Sequence, residues 1–238
     1  MSKLLRVSRQ PSGEPEVFYS LQGEGATMGT PSVFLRLATC NLACSWCDTK
    51  YTWDWANFDY AQEVVSLETF QLEERILGFS CTNLVITGGE PLLQQSELAP
   101  LVTSLKAHGM RFEVETNGTI APEGDLARDI DQWNVSPKLA NSGNPAERRE
   151  EPTALTEFQK LPNAYFKFVV AEPGDVDEVC DFRDRYGLPN QRVILMPEGR
   201  SPEALNSRSG WVSEACVREG FRFSTRLHIL LWGDERGR

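Results

Sequence analysis

Short apolar runs, many of them β-branched, alternate with longer amphipathic stretches along most of the chain. Val33–Leu37, Leu84–Thr87, Phe112–Glu115, Trp133–Val135, Tyr165–Val170 and Val193–Met196 have the length and composition of buried parallel strands. Glu68–Gly78, Glu97–His108, Asp175–Tyr186 and about Gly210–Glu219 carry helical spacing. The second of these ends in His108-Gly109, a cation in the last turn followed by a C-cap glycine. A short tail strand is expected near Arg222–Ser224. Strand–helix alternation at this spacing predicts βαβ units and a parallel sheet. The fold class is therefore α/β, a partial or open (β/α) barrel of about six parallel strands, because the chain is short for an eightfold barrel. No internal repeat and no linker composition appears, so residues 1–238 are expected to form a single compact domain. The polar segment Leu139–Thr153 is expected to be a surface loop.

In parallel α/β architectures the functional loops follow the C-terminal ends of the strands. A cysteine-rich loop follows the first predicted strand, and Gly88-Gly89-Glu90-Pro91 follows the second. Thr116-Asn117-Gly118, Ser136-Pro137-Lys138 and Met196-Pro197-Glu198-Gly199 follow the third, fourth and sixth. Five unusual segments at one end of a sheet imply one shared site.

Composition narrows the class further. The chain has 238 residues, 40% of them hydrophobic, and a formal net charge of −10. A duplex-binding face would be basic, since phosphate contacts dominate nucleic-acid affinity, so no nucleic-acid partner is expected. No apolar run is long enough to cross a bilayer, which takes about 18 residues or more, and Met1–Gln10 lacks the apolar core of a secretory signal. A cytoplasmic protein with no membrane partner is expected, and its cysteines should be reduced. Of the six cysteines, Cys81, Cys180 and Cys216 are scattered and read as small core residues.

The other three, Cys40, Cys44 and Cys47, lie within eight residues at C-x3-C-x2-C spacing, with Trp46 before the last. Three thiolates on one loop can hold three corners of a [4Fe–4S] cluster, leaving the fourth iron without a protein ligand. An open coordination position separates a chemically active metal centre from a closed structural one. Two other readings stay open at this point. Zinc would want a fourth ligand from a second Cys or His pair, and His108 and His228 are far apart. A redox dithiol of Cys44 and Cys47 would leave Cys40 without a role.

The pattern Cys40, Cys44, Trp46, Cys47 resembles the C-x3-C-x-aromatic-C hallmark of the radical S-adenosylmethionine superfamily. Thr87-Gly88-Gly89-Glu90-Pro91 is similar to its G-G-E-P motif. The resemblance implies a [4Fe–4S] cluster on these cysteines whose open iron binds the amino and carboxylate groups of S-adenosylmethionine. Gly89 and Glu90 would hold the methionyl amino group, and Trp46, Cys47, Asp48, Asn117, Ser136, Pro137, Lys138 and Glu198 would contact the cofactor. Electron transfer then yields a 5′-deoxyadenosyl radical.

Leu21-Gln22-Gly23-Glu24-Gly25, Cys47-Asp48-Thr49-Lys50-Tyr51-Thr52-Trp53, Ser136-Pro137-Lys138 and Leu227-His228…Trp232-Gly233 narrow the resemblance. Together they look like the 7-carboxy-7-deazaguanine synthases of deazapurine (queuosine) biosynthesis, and the likeness covers nearly the whole chain. It implies a lyase that converts 6-carboxy-5,6,7,8-tetrahydropterin to 7-carboxy-7-deazaguanine, with ring contraction and loss of ammonia. Leu21, Gln22, Gly23, Arg36, Thr87 and His228 would bind the substrate, Arg36 offering a planar fork to its carboxylate. Such a charge-assisted bond is worth roughly 1.5–3 kcal/mol. The resemblance makes Thr49 a ligand to Mg²⁺; alone it reads as a loop threonine. It also implies a flavodoxin or ferredoxin-type electron donor and a homodimer. Two alternatives remain: a glycyl-radical-enzyme activase with the same cysteine spacing, and a non-catalytic iron–sulfur or zinc protein that binds a partner.

Overall fold

The computed structural model describes residues 3–237. Strands β1 (Leu4–Ser8), β2 (Val17–Leu21) and β3 (Pro31–Leu37) open the chain, followed by helix α1 (Tyr60–Glu63), strand β4 (Val64–Glu68) and helix α2 (Thr69–Leu77). The alternation then runs β5 (Asn83–Gly88), α3 (Gln95–Ala107), β6 (Arg111–Thr116), α4 (Gly124–Asp129) and β7 (Gln132–Val135). It continues with α5 (Ala146–Arg149), α6 (Pro152–Lys160), β8 (Ala164–Val170), α7 (Gly174–Tyr186), β9 (Val193–Pro197), α8 (Pro202–Glu219), β10 (Arg222–Phe223) and α9 (Leu227–Trp232).

The strands form one sheet in the order β10-β9-β8-β7-β6-β5-β3-β1-β4, with β2 also on β3. From β3 to β10 every pairing is parallel. The path begins at β10 and ends at β4, so this is the open α/β barrel expected, with an antiparallel extension of β1, β2 and β4. Sequence reading missed that extension because its strands are only half buried; Leu4, Tyr19 and Ser66 face outward, which breaks the continuous apolar run that marks a central strand.

The helices show why their sequences fold as they do. Leu72 and Ile76 of α2 lie on one inward stripe, and a Glu68–Gln71 capping box starts the helix. Val176, Val179 and Phe182 of α7 face the sheet, and Gly187 in the left-handed region stops it. Helix α8 starts at Pro202, eight positions before the expected Gly210. Ser201 caps it, its Oγ accepting from the Ala204 amide at 3.2 Å, and the polar Asn206–Ser209 turn had hidden the periodicity. Cys216 is buried, while Cys81 and Cys180 are partly buried against the same core.

Residues 139–153 correct the expectation of a plain surface loop. They form a short 3-10 turn at Ala140–Ser142, then α5, then the start of α6, and Ser142 is fully buried. What they bury is the underside of the cysteine loop.

Candidate active site

A cavity of about 500 Å³ opens at the C-terminal ends of the parallel strands. All five unusual segments reach it: Cys40, Gly89, Asn117, Ser136 and Glu198 each line its wall. The rule of parallel sheets therefore places the site here.

The cysteine loop is held mostly by neutral groups, with one cation, Arg148, on its backbone. Thr39, at φ 75°, turns the chain out of β3 and donates its amide to the Thr52 carbonyl at 2.6 Å. The Ser45 amide donates to the Ser142 carbonyl at 3.0 Å, and the Ala43 amide to Asn144 Oδ1 at 2.9 Å. Trp46 Nε1 donates to Asn141 at 3.1 Å, and Arg148 reaches the Asn41 carbonyl at 2.8 Å. Each sulfur has its own donor: the Leu42 amide at 3.5 Å from Cys40, Asn144 Nδ2 at 3.3 Å from Cys44, and Trp53 Nε1 at 3.3 Å from Cys47.

Donors aimed at three unpaired sulfurs suit thiolates that carry negative charge onto a cluster. Among the described residues no three His, Cys, Asp or Glu side chains are close enough to hold one metal ion. Burial raises the Cys44 thiol, the reverse of what a reactive Cys44–Cys47 dithiol needs. The cysteines thus fit a cluster.

Gly88 and Gly89 are needed for packing. A Cβ on Gly88 would lie 2.0 Å from the Leu37 carbonyl oxygen, and one on Gly89 2.0 Å from that of Thr39. The chain's own β3 end, as much as any ligand, requires glycine there. Glu90 is fully buried and is not on the cavity wall. Its carboxylate accepts from the Leu92 amide (3.0 Å), Thr116 Oγ1 (2.8 Å) and the Asn117 amide (2.7 Å), tying the β5 and β6 loops together. Pro137 also sits off the wall, against the Gly118 turn. Trp46, Cys47, Asp48, Asn117, Ser136, Lys138 and Glu198 do line the cavity. Lys138 Nζ donates to Ser136 Oγ at 3.0 Å and lies 5.4 Å from the Trp46 ring centroid. Thr49 is on the wall too, its hydroxyl 3.6 Å from Cys47 sulfur.

The other half of the wall is built from charge. Leu21, Gln22, Gly23, Arg36, Thr87 and His228 are all there. His228 packs so tightly that a Cβ on Gly23 would meet its Nδ1 at 2.1 Å, and burial lowers its pKa, leaving a neutral imidazole at pH 7. Arg36 donates through Nε to Glu16 at 2.7 Å. Its two terminal nitrogens bond to no described residue, so the fork is available to the cavity.

Sequence reading missed the ions that hold these groups. Lys167 of β8, 3% exposed, bridges Glu24 (2.6 Å) and Glu115 (2.9 Å). Glu115 in turn accepts from Gln22 Nε2 at 3.2 Å, which fixes that amide's orientation. Burial alone would raise the Glu24 carboxyl, but Lys167 and Arg226 hold it well below the usual range. Arg226 binds Glu24 at 3.1 Å, Asp48, and the Gly199 carbonyl at 2.9 Å, joining the loops after β2, β3 and β9. Glu24 was visible inside the L-Q-G-E-G motif; Glu16, Glu115, Lys167 and Arg226 carried no local signal.

Residues 21–132 match the family described as "4Fe-4S single cluster domain". The 7-carboxy-7-deazaguanine synthase of Pyrobaculum aerophilum is 43% identical over 94% of this chain and 96% of its own length. The chain belongs to the 7-carboxy-7-deazaguanine synthase family. The Hyperthermus butylicus member is 38% identical over 91% of both chains. The crystal structure of QueE from Escherichia coli superposes with a TM-score of 0.70 at 25% identity, covering 94% of this chain and 95% of that one. As a 7-carboxy-7-deazaguanine synthase family member the chain is a radical S-adenosylmethionine lyase with an iron–sulfur cluster. That agrees with the sulfur-directed donors. Among the described residues no helix is long and apolar enough to cross a membrane.

Proposed function

We propose that this enzyme converts 6-carboxy-5,6,7,8-tetrahydropterin to 7-carboxy-7-deazaguanine and ammonia. One observation carries the reading: the free fork of Arg36 shares a cavity with the three cysteines and with the Gln22, Glu24, Glu115, Lys167 group. The cluster and S-adenosylmethionine supply the 5′-deoxyadenosyl radical, with hydrogen abstraction at C6 of the substrate. Arg36 grips the carboxylate, with Nε anchored on Glu16 so that only the terminal nitrogens turn to the ligand. The Gln22 carbonyl and the Glu24 carboxylate present acceptors to the amino and ring N–H groups of the heterocycle. Ser136, Lys138 and Asn117 line the same cavity and would contact the cofactor. Thr49 offers a hydroxyl oxygen, a hard ligand suited to Mg²⁺. In this reading S-adenosylmethionine is regenerated in each cycle.

Residues 1–238 act as one domain, supported by a core cluster that runs without a break from Leu5 to Phe221. The cytoplasmic setting, the homodimer and the flavodoxin or ferredoxin-type donor rest on the family resemblance. The test is anaerobic. Reconstituted protein receives reductant, S-adenosylmethionine, Mg²⁺ and the carboxytetrahydropterin, and products are followed by mass spectrometry. 7-Carboxy-7-deazaguanine with less than one deoxyadenosine per turnover is expected. Deoxyadenosine without that product would move the substrate elsewhere and raise the activase alternative.

A further inference from the structure

In the segment after α9, Asp234–Gly237 form part of the cavity wall. The segment leaves the helix at Gly233, at φ 72°, and is pinned at two places. Asp234 accepts from Arg200 Nε at 2.9 Å, on the β9 side. Arg236 reaches the β2 side, where Nε is 3.2 Å from Glu16, Nη1 is 2.9 Å from Glu63, and the guanidinium lies 3.4 Å from the Tyr51 ring centroid. Arg236 Nη2 is buried with no hydrogen-bond acceptor, so it sits against the ring rather than in water. The segment is a strap with a latch at each end.

The latch residue matters because of what Glu16 does. This carboxylate is fully buried. Its Oε1 accepts from Arg36 Nε at 2.7 Å and from Tyr51 OH at 3.0 Å, and its Oε2 accepts from Arg236 Nε at 3.2 Å. Three donors on one carboxylate fix its plane, and that plane fixes the direction of the Arg36 fork. Without Arg236, one oxygen of a buried carboxylate loses its partner. Glu16 can then rotate to take a terminal nitrogen of Arg36, the nitrogen otherwise free for a ligand.

We propose that Arg236 is a positioning residue that aims Arg36 through Glu16, and that it does so only with the strap laid across the cavity. The inference rests on the reading of Arg36 as the carboxylate fork. It makes carboxylate recognition and closure of the strap one event.

The test measures binding of two probes, 6-carboxypterin and unsubstituted pterin, to cluster-loaded protein with S-adenosylmethionine under anaerobic conditions. R236A should weaken 6-carboxypterin about tenfold or more and leave pterin within about twofold, with R236K recovering only part of the loss. D234A, which frees the far end of the strap, should weaken 6-carboxypterin in the same selective way but less. In an E16Q background R236A should add less than about twofold, because its route is already cut. Equal weakening of both probes would make the strap a general wall and overturn the proposal. An additive effect in E16Q would mean that Arg236 touches the ligand directly, which also overturns it, as would an unchanged affinity in R236A. R36A separates the two readings. If R36A binds 6-carboxypterin normally, the carboxylate fork itself is wrong. If R36A fails to bind while R236A binds normally, only the strap inference falls.

Discussion

The cysteine side and the Arg36 side of the cavity are fixed by different forces. Around Cys40, Cys44 and Cys47 the contacts are neutral: backbone amides, the Asn144 amide and the Trp53 indole. Around Arg36 and Gln22 they are buried ions: Glu16, Glu24, Glu115, Lys167 and Arg226. The contrast follows from what each side must hold. A cluster already carries charge on its thiolates, and its potential is tuned by modest dipoles. The carboxylated ring of the proposed substrate would need strong donors and acceptors in fixed directions, and buried carboxylates and cations stay charged only when paired. Neutral contacts are individually weak and replaceable. Buried ion pairs fail all at once.

The largest effect should come from the ligands themselves. Cys44→Ala should abolish activity and leave reconstituted protein without the visible absorbance and iron content of a full cluster, since Cys81, Cys180 and Cys216 lie elsewhere in the fold. Full activity after reconstitution would remove Cys44 from the ligand set. Next in size is the keystone of the ionic side. Lys167→Met leaves Glu24 and Glu115 buried and facing each other, at a cost of about 3–5 kcal/mol of stability. The sign with pH sharpens this. In the native protein Glu24 is held below its unfolded value, so it contributes stability above about pH 4.5 that is lost as pH falls. In the variant Glu24 keeps Arg226 but loses part of that stabilisation. Glu115, already raised by burial in the native protein, loses the cation that lowered it and rises further. At Glu115 the folded state therefore binds more protons than the unfolded one, and stability falls more as pH rises. Chemical unfolding at pH 5 and pH 8 should therefore show a larger gap from the native protein at pH 8. A gap independent of pH would mean that Lys167 acts through packing alone.

The same contrast explains what was legible in the sequence. The cysteine loop is local: three ligands and an aromatic lie within eight residues, so spacing alone exposes it. The parallel strands were equally plain, because burial on both faces makes continuous apolar runs. The ionic side is assembled from positions 16, 24, 115, 167 and 226, on five separate segments. Lys167 sits in Tyr165–Val170 as one cation in an apolar strand, and nothing nearby names its partners. Glu90 shows the converse. Its motif was visible, but not that the fold would occupy its carboxylate with the Asn117 and Leu92 amides. The segment 139–153 looked featureless because its work is done by the Ser142 carbonyl, Asn141, Asn144 and Arg148, single polar groups that form no pattern along the chain.

Arg36→Lys comes third and tests whether the ionic side is about geometry or charge. Lysine keeps the charge but cannot both anchor on Glu16 and offer two parallel donors. The substrate KM should rise about tenfold or more, a loss of roughly 1.4 kcal/mol. An unchanged KM would take Arg36 out of the substrate site.

The smallest effect belongs to the neutral side. Asn144→Ala removes the donor to Cys44 sulfur and the acceptor for the Ala43 amide. Each such bond is worth about 1 kcal/mol, too little to prevent cluster assembly, so iron content should match the native protein. Reduction places extra negative charge on the cluster and its sulfurs, and a donor to sulfur stabilises that state. Losing it should lower the reduction potential by about 40 mV, since a tenfold change in a one-electron equilibrium is about 59 mV or 1.4 kcal/mol. Asn141→Ala is the matched control: Asn141 accepts from Trp46 Nε1 and donates to Asp175, and it touches no sulfur. Its potential should not move. A shift of equal size in both variants would trace the change to loop looseness and erase the distinction between a neutral contact that tunes the cluster and one that only holds the chain.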